Sequence, residues 1–76
     1  MKSIELNPNF FEGWIVLGIL LLRNGQAEES EKAFRKLTET APRMPEAWDL
    51  LGLALSAQGK NAEATEAKNH AQTLRA

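Results

Sequence analysis

Apolar residues in this chain come in alternating dense and sparse stretches. From Trp14 to Leu22 nine consecutive residues are apolar or glycine, held between Gly13 and Arg23. The next stretch carries only Ala33, Phe34 and Leu37 at helical spacing, among charges. A second dense segment follows Pro45, and a second sparse one contains Ala62, Ala64, Ala67, Ala71 and Leu74. Breakers fix the limits. Asn7-Pro8-Asn9 ends one segment, because the residue before proline avoids the α region, and Asn9 can cap a helix from about Phe10 to Arg23. Asn24-Gly25 then supplies a left-handed stop. A second helix is predicted over about Ala27 to Thr40: Glu28, Glu29 and Glu31 near its start and Lys32, Arg35 and Lys36 further on complement the helix dipole. Pro45 suits a first helical position, so a third helix runs from there to about Gln58, before Gly59. The fourth spans about Asn61 to Leu74. The expectation is an all-α chain without β-sheet.

The alternation has a fixed period. Displaced by 34 residues, the sequence matches itself at eleven of 42 aligned pairs, among them Trp14 on Trp48, Leu17 on Leu51, Gly18 on Gly52, Leu21 on Leu55, Gly25 on Gly59 and Ala33 on Ala67. Average residue usage would give roughly three. Trp, two residues, Leu-Gly, two residues and a large residue, repeated at this period, resembles the tetratricopeptide repeat. The first copy reads Trp14, Leu17, Gly18, Leu21, Ser30, Phe34 and Pro42, and the second reads Trp48, Leu51, Gly52, Leu55, Ala64 and Lys68. Leu21 and Leu55 stand where the family prefers Tyr, Ser30 where it prefers Ala, Lys68 where it prefers Phe, and Ala76 where it closes on Pro.

The resemblance implies two antiparallel helix-turn-helix hairpins stacked as an α-solenoid. The division expected is residues 1–9 as the tail of a preceding repeat or an N-terminal extension, 10–44 as the first hairpin, and 45–76 as the second, with a polar capping helix. Lys2, Ile4, Glu5, Leu6, Asn7 and Pro8 read as the last turns of a preceding repeat, so the chain is expected to be cut from a longer array. Trp14, Leu17, Gly18, Leu21, Phe34, Trp48, Leu51, Gly52 and Leu55 should form the shared interior. Gly18 and Gly52 each cost about 1 kcal/mol inside a helix, and close approach of the partner helix, through Ser30 or Ala64, is the expected compensation. Lys68, replacing Phe34 one repeat later, should lay its stem on the terminal hairpin and keep its ammonium in water.

Composition narrows the chemistry. With 76 residues and no cysteine, one small domain must be held by packing alone, without disulfides or thiolate metal sites. Nine Lys and Arg against ten Asp and Glu, mixed along the chain, give no footprint for nucleic acid. The dense apolar run is far shorter than the roughly 20 residues needed to cross a bilayer, so no membrane insertion is expected. Lys2 has no apolar stretch before Glu5 and Pro8, so nothing here reads as a secretory signal. Neither a phosphate-binding glycine motif nor a histidine with acidic partners at ligand spacing occurs: His70 reads as a solvated helix residue, and Trp14 and Trp48 as core aromatics rather than stacking platforms. No cofactor, metal or catalytic residue is expected, and the chain does not read as an enzyme.

What remains is a surface. By the family's geometry the first helix of each hairpin lines a concave groove, with Glu12, Ile15, Ile19 and Leu22 facing it from the first copy and Glu46, Asp49, Leu53 and Ser56 from the second. That set is apolar in its middle, acidic at one end and without Lys or Arg. It implies a protein or peptide partner: an extended peptide or amphipathic helix with apolar anchors and some basic residues. The first helix, apolar nearly all round, needs more cover than two hairpins give. That cover could be an upstream repeat, a bound partner or, in the alternative reading, a second copy in a homodimer.

Overall fold

Gly25 and Gly59 adopt φ of +80° and +84°, the left-handed conformation that glycine takes without a Cβ penalty. Each closes the same cap. Gln26 N–H donates to Leu21 O and Gly25 N–H to Leu22 O, at 2.8 and 3.0 Å; Lys60 N–H donates to Leu55 O and Gly59 N–H to Ser56 O, at 2.9 Å each. These paired bonds satisfy the last carbonyls of a helix and reverse the chain within three residues. In the computed structural model, which describes residues 11–76, the helices so delimited are α1 (Phe11–Arg23), α2 (Ala27–Thr40), α3 (Pro45–Ala57) and α4 (Asn61–Arg75). Pro45 opens α3 as expected, and α4 runs one residue past Leu74. The expected cap at Asn9, the start at Phe10 and the remnant over residues 1–9 lie outside the described residues.

α1 packs on α2, α2 on α3, and α3 on α4, while α1 also touches α3. The order is that of two successive hairpins, all-α, with no strand among the described residues. They form a slab of 42 × 32 × 14 Å. Its core holds Phe34 and Leu37 of α2, Ala47, Leu51, Ala54 and Leu55 of α3, and Ala64 and Ala67 of α4.

The two interior glycines meet different neighbours. The ring of fully buried Phe34 lies over Gly18, where an added Cβ would stand 2.8 Å from Cδ1 and closer still to the ring edge. Ser30, also fully buried, donates from Oγ to Gly18 O at 2.7 Å, so its hydroxyl is satisfied by the same close approach. At Gly52 a Cβ would meet Lys68 Cγ and Ala64 O, each at 3.1 Å. Lys68 is exposed as a residue, yet its stem occupies the place that the Phe34 ring fills one repeat earlier.

The interior differs from expectation at one position in particular. Leu17 is 44 % exposed, although its equivalent Leu51 is buried. Leu51 is covered by the preceding hairpin, and no described element stands in that place for Leu17. Trp14, Leu21 and Trp48 are half-buried. Trp48 donates from Nε1 to Pro42 O at 2.9 Å, and His70, though exposed, sets its ring against the indole at a centroid distance of 4.1 Å.

Glu31 clasps the hairpins together. Its side chain is 13 % exposed. It accepts from Gln58 Nε2 at 2.8 Å and Arg35 Nε at 2.6 Å, with Lys60 Nζ 3.5 Å away. Burial pushes the Glu31 carboxyl up, but the hydrogen bonds from Gln58 and Arg35 and the charges of Arg35 and Lys60 outweigh it, and the net shift is downward. A carboxyl lowered in the folded state stabilises the fold above its unfolded pKa and loses that contribution as pH falls through the folded one. Urea stability is therefore expected to fall below about pH 4.3. Glu31→Gln should cost about 1 kcal/mol or more at neutral pH and flatten this acid slope. Equal acid slopes in the two proteins would contradict the clasp.

Candidate functional site

The groove residues inferred from the repeat pattern are of three kinds in the structure. Glu12, Glu46 and Ser56 are exposed near helix ends. Ile15, Leu22 and Asp49 are half-buried, and the first two pack against the core. Ile19 and Leu53, one repeat apart, remain 37 % and 49 % exposed. Ile15, Glu46 and Asp49 come together with Leu50 and Arg75 around a shallow cleft of about 420 Å³, while the other five do not line it.

Arg75 is the residue that the groove pattern misses. It pairs with half-buried Asp49, so the cleft contains a basic group although none of the eight expected positions is basic. An antiparallel hairpin brings the last turn of α4 beside the start of α3, and that register was the signal for it. Glu12 and Glu46 keep exposed carboxylates in first turns, where the helix dipole also favours them.

Two further clefts repeat each other. One, of about 260 Å³, is lined by Trp14, Leu17, Leu21, Glu29, Lys32 and Lys36 among others. The other, of about 360 Å³, is lined by their counterparts 34 residues on, including Trp48, Leu51, Leu55, Glu63, Glu66 and His70, with Arg35 reaching in from α2. Arg35 Nη2 lies 3.7 Å from Glu63 there. In the first cleft, Lys32 lies 3.7 Å from Glu29 of its own helix.

The repeat is thus present in sequence, in helix order, in caps and in clefts. Residues 1–32 match the tetratricopeptide repeat family model. Its four helices are consistent with tandem tetratricopeptide-like repeats. Such repeats are typically non-catalytic units of protein–protein interaction, which suggests protein partners. No described helix of this tetratricopeptide-like pair is long and apolar enough to cross a membrane. A search of curated proteins finds no match to the chain.

Proposed function

We propose that this chain is a non-catalytic scaffold or adaptor module, divided at residues 10–44 and 45–76, that holds a peptide or helix along the face shared by α1 and α3. Residues 1–9 belong in this proposal to a preceding repeat's tail or an N-terminal extension. The observation that carries the reading is the exposure of Ile19 and Leu53 at equivalent positions of successive repeats, 37 % and 49 %, where Ile15 and Leu22 beside them are half-buried. Two apolar anchors spaced by one repeat, next to Glu12 and Glu46, suit a segment with apolar side chains on one side and Lys or Arg near one end. The Asp49 to Arg75 pair narrows the acidic end to those two glutamates.

The test is a pull-down from cell extract with the unmodified chain, Ile19→Lys and Leu53→Lys, alongside a control with Asn69→Lys on exposed α4. Each is first checked for an unchanged helical signal. Loss of the same partners in both groove variants, by about tenfold or more, with retention in the control, is expected. Partners retained by both groove variants would defeat the reading.

The alternative is self-association into a homodimer through α1. It draws on Val16 and Leu20, which are 55 % and 50 % exposed. A mass that doubles with concentration, and does not double in a Val16→Lys, Leu20→Lys chain, would favour it.

A further inference from the structure

The two hairpins share one cap and differ in the side chain that stands on it. Asn24 precedes Gly25 at the end of α1, and 34 residues later Gln58 precedes Gly59 at the end of α3. Gln58 is half-buried and its amide is engaged, donating to Glu31 Oε1 at 2.8 Å and to Ala54 O at 3.2 Å. Asn24, Gly25 and Gln26 are all exposed. Among the described residues, no atom beyond the chain neighbours of Gly25 lies within 4 Å of the place a Cβ would take there. Water and a closing ring both have room.

The Asn24-Gly25 pair is chemically reactive. A backbone nitrogen that follows asparagine can close a cyclic imide with the side-chain carbonyl carbon, and glycine, without a Cβ, hinders the closure least. Glutamine, one methylene longer, closes its larger ring far more slowly. The other asparagines are worse placed: Asn7 precedes Pro8, which has no N–H, and Asn9, Asn61 and Asn69 precede Phe10, Ala62 and His70, which carry a Cβ. Asn69 also lies inside α4, whose backbone hydrogen bonds hold the following N–H.

We propose that Asn24 is a site of spontaneous self-modification whose rate is set by the cap of α1. The Gly25 nitrogen bonds to Asn24 Cγ, the Cγ–Nδ2 bond breaks, and the Gly25 amide proton leaves with Nδ2 as ammonia. Water then opens the imide. Addition at Cγ gives aspartate with an ordinary main chain, whereas addition at the main-chain carbonyl carbon gives isoaspartate, in which the chain runs through Cγ and gains a methylene. Nothing is oxidised or reduced. In the folded chain Gly25 N–H is bonded to Leu22 O and Gln26 N–H to Leu21 O, and together these bonds fix the peptide plane that must turn for the attack. Reaction therefore follows local opening of the cap. Isoaspartate cannot restore the cap, because the longer main chain puts those two donors out of register, and either product sets a carboxylate against the negative end of the α1 dipole. The first hairpin loosens with age and the second does not. This inference does not rest on the groove reading.

The full chain is incubated at mildly alkaline pH, in native buffer and in urea, and sampled by peptide mass mapping with chromatographic separation of the aspartate and isoaspartate products. Both products are expected at Asn24 in native buffer, at a rate severalfold below that in urea, before any change at Gln58, Asn61 or Asn69. The converted chain should melt about 2 to 6 °C below the fresh one, and Asn24→Asp should reproduce part of that fall. Hydrogen exchange should quicken at Gly25 and Gln26 and stay unchanged at Gly59 and Lys60. Asn24→Gln should hold its melting point through the same incubation, which separates this site from ageing elsewhere in the chain. An Asn24 that stays intact in native buffer while it converts in urea would overturn the proposal, as would equal rates in the two, or a converted chain that melts with the fresh one.

Discussion

Phe34→Ala is expected to remove about 3 to 5 kcal/mol of stability, the loss seen when a buried aromatic is cut to a methyl group. Phe34 is fully buried, lies over Gly18 and belongs to the same core as Leu51 and Leu55, so its ring is shared between both hairpins. The close approach of α2 to α1 is held by Ser30 Oγ on Gly18 O, which limits how far the gap can collapse. Folded domains are stable by about 0.05 to 0.15 kcal/mol per residue, roughly 4 to 11 kcal/mol for a chain of 76 residues, so such a loss removes about a quarter or more of the total. Urea titration followed by far-ultraviolet circular dichroism should show a midpoint shifted far down, with a shortened native baseline. A loss below about 1 kcal/mol would mean that the ring is not the central support.

Gly18→Leu should cost about 1 to 3 kcal/mol or more, by overpacking. Even Gly18→Ala puts a methyl group inside the contact distance of the Phe34 ring, and this should exceed the gain of about 1 kcal/mol from removing a helical glycine. Gly52→Ala is the internal comparison. Lys68 Cγ belongs to a flexible stem that can yield a few tenths of an ångström, although Ala64 O cannot, so the clash and the helix gain nearly cancel. Thermal melts of the two alanine variants should separate by about 4 to 8 °C for each kcal/mol of difference. Superimposable melts would show that the Phe34 ring moves aside freely.

The helices and their ends were legible because the residues that set them act locally. Gly25 and Gly59 are needed for positive φ, Pro45 fits only a first turn, and these fixed the boundaries to within about a residue. The 34-residue offset also placed Phe34 and Lys68 at corresponding posts, and the structure keeps them there. Leu17 matches Leu51, which points to the interior, but burial depends on what stands beyond a residue, which a match within the chain does not specify. Arg75 is hidden for the converse reason. Its role comes from Asp49, twenty-six positions earlier, and the groove pattern considered the first helix of each hairpin alone. Among the groove residues, type could be read from the sequence, whereas the division into exposed Ile19 and Leu53 and half-buried Ile15 and Leu22 depends on where α3 lies against α1.

The slab is 14 Å thick, little more than one helix with its side chains. A molecule of that thickness gains size by lengthening and never by deepening. Each added hairpin extends the contact plane by one increment and leaves the distance from any side chain to water about the same. Stability in such an object is carried between neighbours in series, so the junction held by Glu31, Gln58 and Phe34 sets how far a disturbance at one end travels toward the other.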